Sequence, residues 1–127
     1  MKERIVTAAA PAAIGPYSQA IRAGDFLFVS GQLGLDPVTK TMVTGGIESQ
    51  AERALVNIAA ILEEAGGTMR AIVKTTVLLH SMDDFAKLND VYARFFAGDP
   101  PARATYQVAR LPLDACVEIE AIAYLGR

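Results

Sequence analysis

Apolar residues recur at helical spacing in one long stretch of the chain. Ile47, Ala51, Ala54, Leu55, Ile58, Leu62 and Ala65 fall on one face, and Glu48, Glu52, Arg53, Glu63 and Glu64 are left mostly to the other. This predicts a helix over 47–65, stopped by Gly66-Gly67. A second helix is expected to open at Ser81, an N-cap with Asp84 three residues on in the manner of a capping box. Met82, Phe85, Leu88, Tyr92 and Phe95 form its buried stripe, and Pro100-Pro101 ends it.

The remaining apolar runs are short and read as strands. Lys2–Thr7 is one. Ala8–Pro16 is broken by Pro11, Gly15 and Pro16 and reads as a loop. Tyr17–Arg22 looks extended, with a turn at Ala23-Gly24-Asp25. Phe26–Ser30 is an apolar run of the kind found in buried strands, and Gly31–Gly46 reads as a loop or irregular hairpin. Ile72–His80 is rich in β-branched residues. Two final strands, 103–110 and 117–124, are joined by Leu111–Cys116, where Pro112 and Asp114 suit a turn. Strands outnumber helices, and the two helices separate groups of strands. The expected class is α+β, one domain over 1–127, with two helices packed on one sheet.

Composition narrows the function. A length of 127 residues fits a single domain with a real core. Net charge is -2, and there is no run of Lys and Arg, so a nucleic-acid partner is disfavoured. The chain holds one Cys, Cys116, and one His, His80. An internal disulfide is therefore excluded, which suits a reducing compartment, and a dedicated zinc set is not expected. No long apolar stretch follows Met1–Arg4, so no signal peptide is expected, and no run suits a membrane span. A cytoplasmic protein is the expectation.

Few residues are candidates for chemistry. Arg103 follows Pro100-Pro101-Ala102, so its backbone entry is stiff, and it begins a strand. Its guanidinium offers a planar fork that fits a carboxylate. An ordinary surface ion pair fits the same residue. Glu118 and Glu120 alternate with Val117, Ile119 and Ala121, so both carboxylates share one face of a strand. Apolar neighbours could raise the pKa of one for acid–base work; a solvated face is the plainer reading. Lys74, in another strand, could pair with either. Tyr17 and Ser30 each adjoin a Gly or Pro that controls backbone approach. Ser30 has only His80 as a base, so a Ser-His-Asp hydrolase is disfavoured. Cys116 has no positive neighbour and is not read as a nucleophile. The glycines form neither a P-loop nor a dinucleotide fingerprint.

Five blocks in sequence carry a resemblance: APAAIGPYSQAI at 10–21, FVSGQL at 28–33, VKTTVLL at 73–79, DFAKLNDVYARFF at 84–96 and PARATYQVARLPLDACVEIEAIA at 101–123. Together they span essentially the whole chain, which resembles the RidA/YjgF family, also called the endoribonuclease L-PSP or reactive-intermediate deaminase family. The resemblance implies a chorismate-mutase-like mixed sheet with two helices on one face, assembled as a homotrimer with sites between subunits. It implies hydrolysis of 2-iminobutanoate, 2-iminopropanoate and their enamine tautomers, which leak from pyridoxal-phosphate-dependent dehydratases, to 2-oxo acids and ammonia, with no cofactor and no metal. By the same resemblance Arg103 binds the substrate carboxylate, Glu118 serves the hydrolytic water, and Tyr17, Ser30, Gly31, Asn89 and Thr105 line the pocket. Thr105 is a departure, since many bacterial members carry Cys there; the family's contact at that position involves backbone. Two other readings stay open: a non-catalytic metabolite-binding or chaperone-like trimer, and an endoribonuclease or translation inhibitor.

In mechanism, Arg103 would hold the carboxylate, Glu118 would orient and deprotonate water, and Tyr17 and Ser30 would shape the pocket and donate hydrogen bonds. If strands 103–110 and 117–124 form a hairpin, Glu118 pairs near Ala109 and Arg103 near Tyr124. The two would then lie about 20 Å apart, so a shared site needs two subunits.

Overall fold

The computed structural model describes residues 1–126. Six strands, β1 (Lys2–Ile5), β2 (Ala20–Ala23), β3 (Phe26–Gln32), β4 (Ile72–Leu79), β5 (Ala102–Gln107) and β6 (Val117–Tyr124), form one sheet in the order β1-β2-β3-β6-β4-β5. Two helices, α1 (Gly46–Glu64) and α2 (Phe85–Ala93), pack on one face of it. The α+β class and the two-helix layer are as the pattern predicts.

Alternation decides the layers. Val117, Ile119, Ala121 and Ala123 of β6, Val77 and Leu79 of β4, and Leu27 and Val29 of β3 are buried against Leu55, Ile58, Ile61 and Leu62 of α1. Each buried Val, Leu or Ile side chain among these contributes roughly 1.5–3 kcal/mol. Glu118, Glu120 and Ile122 occupy the alternate positions of β6 and look away from the helices. With Phe26, Phe28 and Tyr124 they give the helix-free face of the sheet an exposed aromatic and apolar character.

The final pair of strands is not a hairpin. β5 runs parallel to β4, and β6 is antiparallel to both β4 and β3. β4 therefore lies between β5 and β6. Parallel neighbours need a crossover, and α2 supplies it between β4 and β5. The chain then passes the end of β4, bonded on both sides, Val108 N–H to Leu79 O at 3.0 Å and His80 N–H to Cys116 O at 2.9 Å. The turn at Pro112–Asp114 is a short 3-10 turn with Leu113 and Asp114 at positive φ.

Smaller differences have local causes. Tyr17–Gln19 stays outside β2, and Ala23 joins the strand, leaving Gly24-Asp25 as the turn, with Gly24 at φ 62. β3 continues to Gln32 through an irregularity between Val29 and Gln32 that contains Ser30 and Gly31. The Gly31–Gly46 stretch closes as an irregular hairpin with a Leu35–Met42 bridge. Ser81 accepts from Asp83 N–H at 3.1 Å and caps a 3-10 turn (Met82–Asp84), so α2 proper starts only at Phe85. Asp84 does not complete a capping box, and Met82 is exposed. The helix ends at Ala93, well before Pro100-Pro101.

Candidate active site

Glu118 stands on the helix-free face of β6, opposite Leu78 of β4. It is half-buried, and its carboxylate lies against the Gly31 backbone. A Cβ at position 31 would come within 2.8 Å of Glu118 Cδ and collide with its carboxylate oxygen. Gly31 is thus required by close approach rather than by its own torsions. Burial first, and the nearby Glu120 charge second, raise the Glu118 carboxyl above its ordinary value of 4.5. Beside it is a mostly apolar hollow of about 210 Å³, lined by Ile14, Tyr17, Gly31, Leu33, Pro112 and Glu118 among others.

Tyr17 reaches this hollow from a loop, so the loop must be held. Gln19, only 4 % exposed, does so. Its amide nitrogen donates to the carbonyls of Thr7, Ala10 and Pro11 at 3.0, 3.3 and 2.8 Å. Its amide oxygen accepts from Thr7 N–H at 2.8 Å. Ser30 ties the loop to β3: its hydroxyl donates to Ser18 O at 2.6 Å, and its N–H donates to Gln19 O at 2.9 Å. The hydroxyl hydrogen is thereby committed. Ser30 can accept from a ligand but is not set to donate, which corrects the role expected of it. The Tyr17 hydroxyl accepts weakly from Ile14 N–H at 3.5 Å and keeps its own hydrogen to give.

Arg103 lies elsewhere. On β5 it stands opposite Thr75 of β4, a residue 1 % exposed on the helix side. Its guanidinium carbon is 4.8 Å from the centre of the Tyr92 ring and 5.6 Å from that of Phe85, both on α2. It makes no ion pair among the described residues, where the single pair joins Arg110 and Asp114. Asn89 lies four residues after Phe85 and three before Tyr92, on the same face of α2. Thr105 is two residues beyond Arg103 on the same face of β5, and its hydroxyl oxygen is buried without a partner.

The candidate residues therefore form two groups. Tyr17, Ser30, Gly31 and Glu118 gather on one side of the sheet. Arg103 and Thr105 lie on the other, the helix side, where α2 itself carries Asn89. Counted through β4, Arg103 and Glu118 are two strands and three residues apart, roughly 14 Å. The 20 Å hairpin register is replaced by a shorter separation across opposite faces. Lys74 forms no ion pair with Glu118 or Glu120. Cys116 is half-buried, and burial and the Asp84 charge push its thiol up, the opposite of an activated nucleophile.

Two contributors escaped sequence reasoning. Gln19 gave one signal only, a lone amide inside a small-residue loop. Tyr92 was read as core stripe, and it is core, but its hydroxyl shares a 2.7 Å hydrogen bond with Thr75 Oγ1 and its ring carries Arg103.

Comparison with known proteins addresses the fold and the family. A family model described as endoribonuclease L-PSP matches residues 7–125. A RutC family protein of Pyrococcus horikoshii is 54 % identical over 98 % of both chains. The mouse 2-iminobutanoate/2-iminopropanoate deaminase is 50 % identical over 99 % of this chain and 93 % of its own. A crystal structure of a putative endoribonuclease of Thermotoga maritima superposes with a TM-score of 0.97 at 48 % identity, covering 100 % of both chains. Matched by that family model over residues 7–125 and by these relatives over nearly its whole length, this chain belongs to the endoribonuclease L-PSP family, the RidA/YjgF family.

Proposed function

We propose that this protein is an enamine/imine deaminase that hydrolyses small 2-imino acids to 2-oxo acids and ammonia. We further propose that it works in the cytoplasm as a homotrimer whose sites lie between subunits. The observation that carries the reading is Arg103: a half-buried guanidinium, seated on aromatic rings, with no carboxylate partner among the described residues. Such a group fits the carboxylate of a small acid bidentately.

The chemistry asked of the site is small. Water adds to the imine carbon, a carbinolamine forms, and its C–N bond breaks to release ammonia and leave the carbonyl. Arg103 holds the carboxylate and withdraws charge from the neighbouring carbon. Glu118, its carboxyl held above its ordinary value by burial and Glu120, takes a proton from the attacking water and returns it to the departing nitrogen. Ser30, able to accept but not donate, suits the N–H of a protonated imine, while Tyr17 has a hydrogen to give. Asn89 and Thr105 line the carboxylate end. Positioning and general base catalysis of about 10²–10⁴ are enough for a reaction that is already quick in water.

The separation of the two groups supports the interface reading. Arg103 of one subunit would complete the hollow at Glu118 of the next. The aromatic helix-free face and the unpaired outer edge of β5 are surfaces of the kind that neighbours cover.

The test is a coupled assay. A dehydratase generates 2-aminoacrylate or its four-carbon homologue, and 2-oxo acid formation is followed with wild type and Arg103→Ala. Acceleration by wild type that is lost in the variant is expected. No acceleration by wild type leaves a ligand-binding protein instead, and RNA cleavage indifferent to Arg103→Ala would point to a separate activity.

A further inference from the structure

Arg103 sits on β5, an outer strand with a neighbour on one side only. The β4 ladder fixes its backbone opposite Thr75 but leaves a long side chain with several rotatable bonds. An arginine that grips a ligand well must already be ordered before the ligand arrives, because ordering it on binding weakens affinity. No acidic side chain among the described residues does this ordering.

Tyr92 occupies the place where such a restraint would be. Its ring centre is 4.8 Å from the Arg103 guanidinium carbon. The ring is itself immobilised three ways: it is 6 % exposed in the core, it packs on Phe96 with centres 4.5 Å apart, and its hydroxyl is tied at 2.7 Å to Thr75. Thr75 is the β4 residue in register with Arg103 itself. The loop of contacts thus closes on one point: Arg103 backbone to Thr75, Thr75 hydroxyl to Tyr92, Tyr92 ring to Arg103 guanidinium. A ring face attracts a cation without using its N–H donors, so the whole fork stays available to a carboxylate. An Asp or Glu in that position would occupy the donors and compete with the ligand.

We propose that Tyr92 is the positioning residue for Arg103, a fixed aromatic shelf that pre-orders the guanidinium for a carboxylate, with Phe85 as its second, more distant wall. The inference rests on the reading of Arg103 as the carboxylate grip. With its ring 6 % exposed and its hydroxyl tied to Thr75, Tyr92 acts through the arginine.

Two measurements test it. In the first, ¹⁵N relaxation at Arg103 Nε–Hε is recorded without substrate in wild type, Tyr92→Leu and Tyr92→Phe. Wild type and Tyr92→Phe should show an ordered side chain, and Tyr92→Leu a mobile one. In the second, KM and kcat are separated for the imino acid. Tyr92→Leu should raise KM roughly five- to tenfold, about the size of one cation–π contact, with kcat little changed. Tyr92→Phe should bring KM back to within about twofold of wild type. A purely structural role would lower kcat through loss of active protein and leave KM alone. An Arg103 signal equally ordered in Tyr92→Leu, or already mobile in wild type, or a loss confined to kcat, overturns the proposal. Should Tyr92→Leu not fold, Phe85→Leu at the half-exposed wall carries the same relaxation test, and an unchanged Arg103 signal there counts against the shelf. Relaxation needs no turnover, so a wild type that fails to hydrolyse imines sinks the deaminase reading while leaving this result to stand or fall separately.

Discussion

Arg103 and Glu118 project from opposite faces of the same sheet, with β4 between their strands. No side-chain rotation brings them together within one chain, because the sheet itself stands in the way. Two inactive variants should therefore rescue each other. In the homotrimer proposed above, Arg103→Ala and Glu118→Ala chains unfolded together and refolded would place one intact Arg103–Glu118 pair in each mixed ring. Random assembly predicts about a quarter of wild-type activity. Recovery no greater than the sum of the two separate variants would show that the site lies within a single subunit.

Arg103→Lys is the sharper probe of the fork. Lysine keeps the charge but presents a point donor rather than two parallel N–H groups. Loss of a bidentate, partly buried contact should raise KM roughly 10- to 100-fold, consistent with ~1.5–3 kcal/mol for a charged hydrogen bond. Steady-state kinetics with 2-iminobutanoate generated in situ would show it, and an unchanged KM would remove the carboxylate from Arg103.

Under the proposed role, Glu118 is expected to link activity, stability and pH. Burial and Glu120 raise its carboxyl above the ordinary 4.5. A raised carboxyl pKa means that the folded chain holds the proton more tightly than the unfolded one. The associated stability is fully present below 4.5 and is lost as pH rises through the folded-state value. Glu118→Gln should therefore raise Tm at neutral pH and have little effect at pH values below 4.5. Its kcat should fall roughly 10²-fold or more, as for loss of a general base. The acid limb of the wild-type kcat profile should lie above the usual carboxylate range. Thermal melts across pH, with rate profiles beside them, test both signs.

Gly31→Ala should separate folding from function. The new Cβ meets the Glu118 carboxylate, a side chain that can swing aside, so the fold survives and the carboxylate is displaced. A near-wild-type Tm with kcat down by roughly tenfold or more is expected. Wild-type turnover would mean that the Glu118 position against Gly31 is unimportant.

Gln19→Ala should loosen the loop that carries Tyr17. It leaves Thr7 N–H and the carbonyls of Thr7, Ala10 and Pro11 without their amide partner, at a cost of roughly 1–3 kcal/mol where those groups stay buried. Urea unfolding should show the lower midpoint, and KM should rise with it.

Much of this protein is local and therefore legible from residue order. The α1 face from Ile47 to Ala65 announces itself by period, and Ile72–Leu79 by its β-branched run, because each depends only on neighbours a few residues away. The alternation that puts Glu118 and Glu120 on one face of β6 is equally local. The motif blocks led to the family and to Arg103. Strand order is another matter. Strands 102–107 and 117–124 are separated by the nine residues 108–116, and nothing in that segment says whether they pair or whether a third strand lies between. Only the packing of α2 as a crossover, which sends β5 parallel to β4, settles that β6 lies on the far side of β4. The same long-range contacts commit the Ser30 hydrogen to Ser18, staple Gln19 across its loop and seat Arg103 on Tyr92. Residue identity set which groups could do chemistry. Tertiary structure decided which face each one occupies, because that depends on partners far away along the chain.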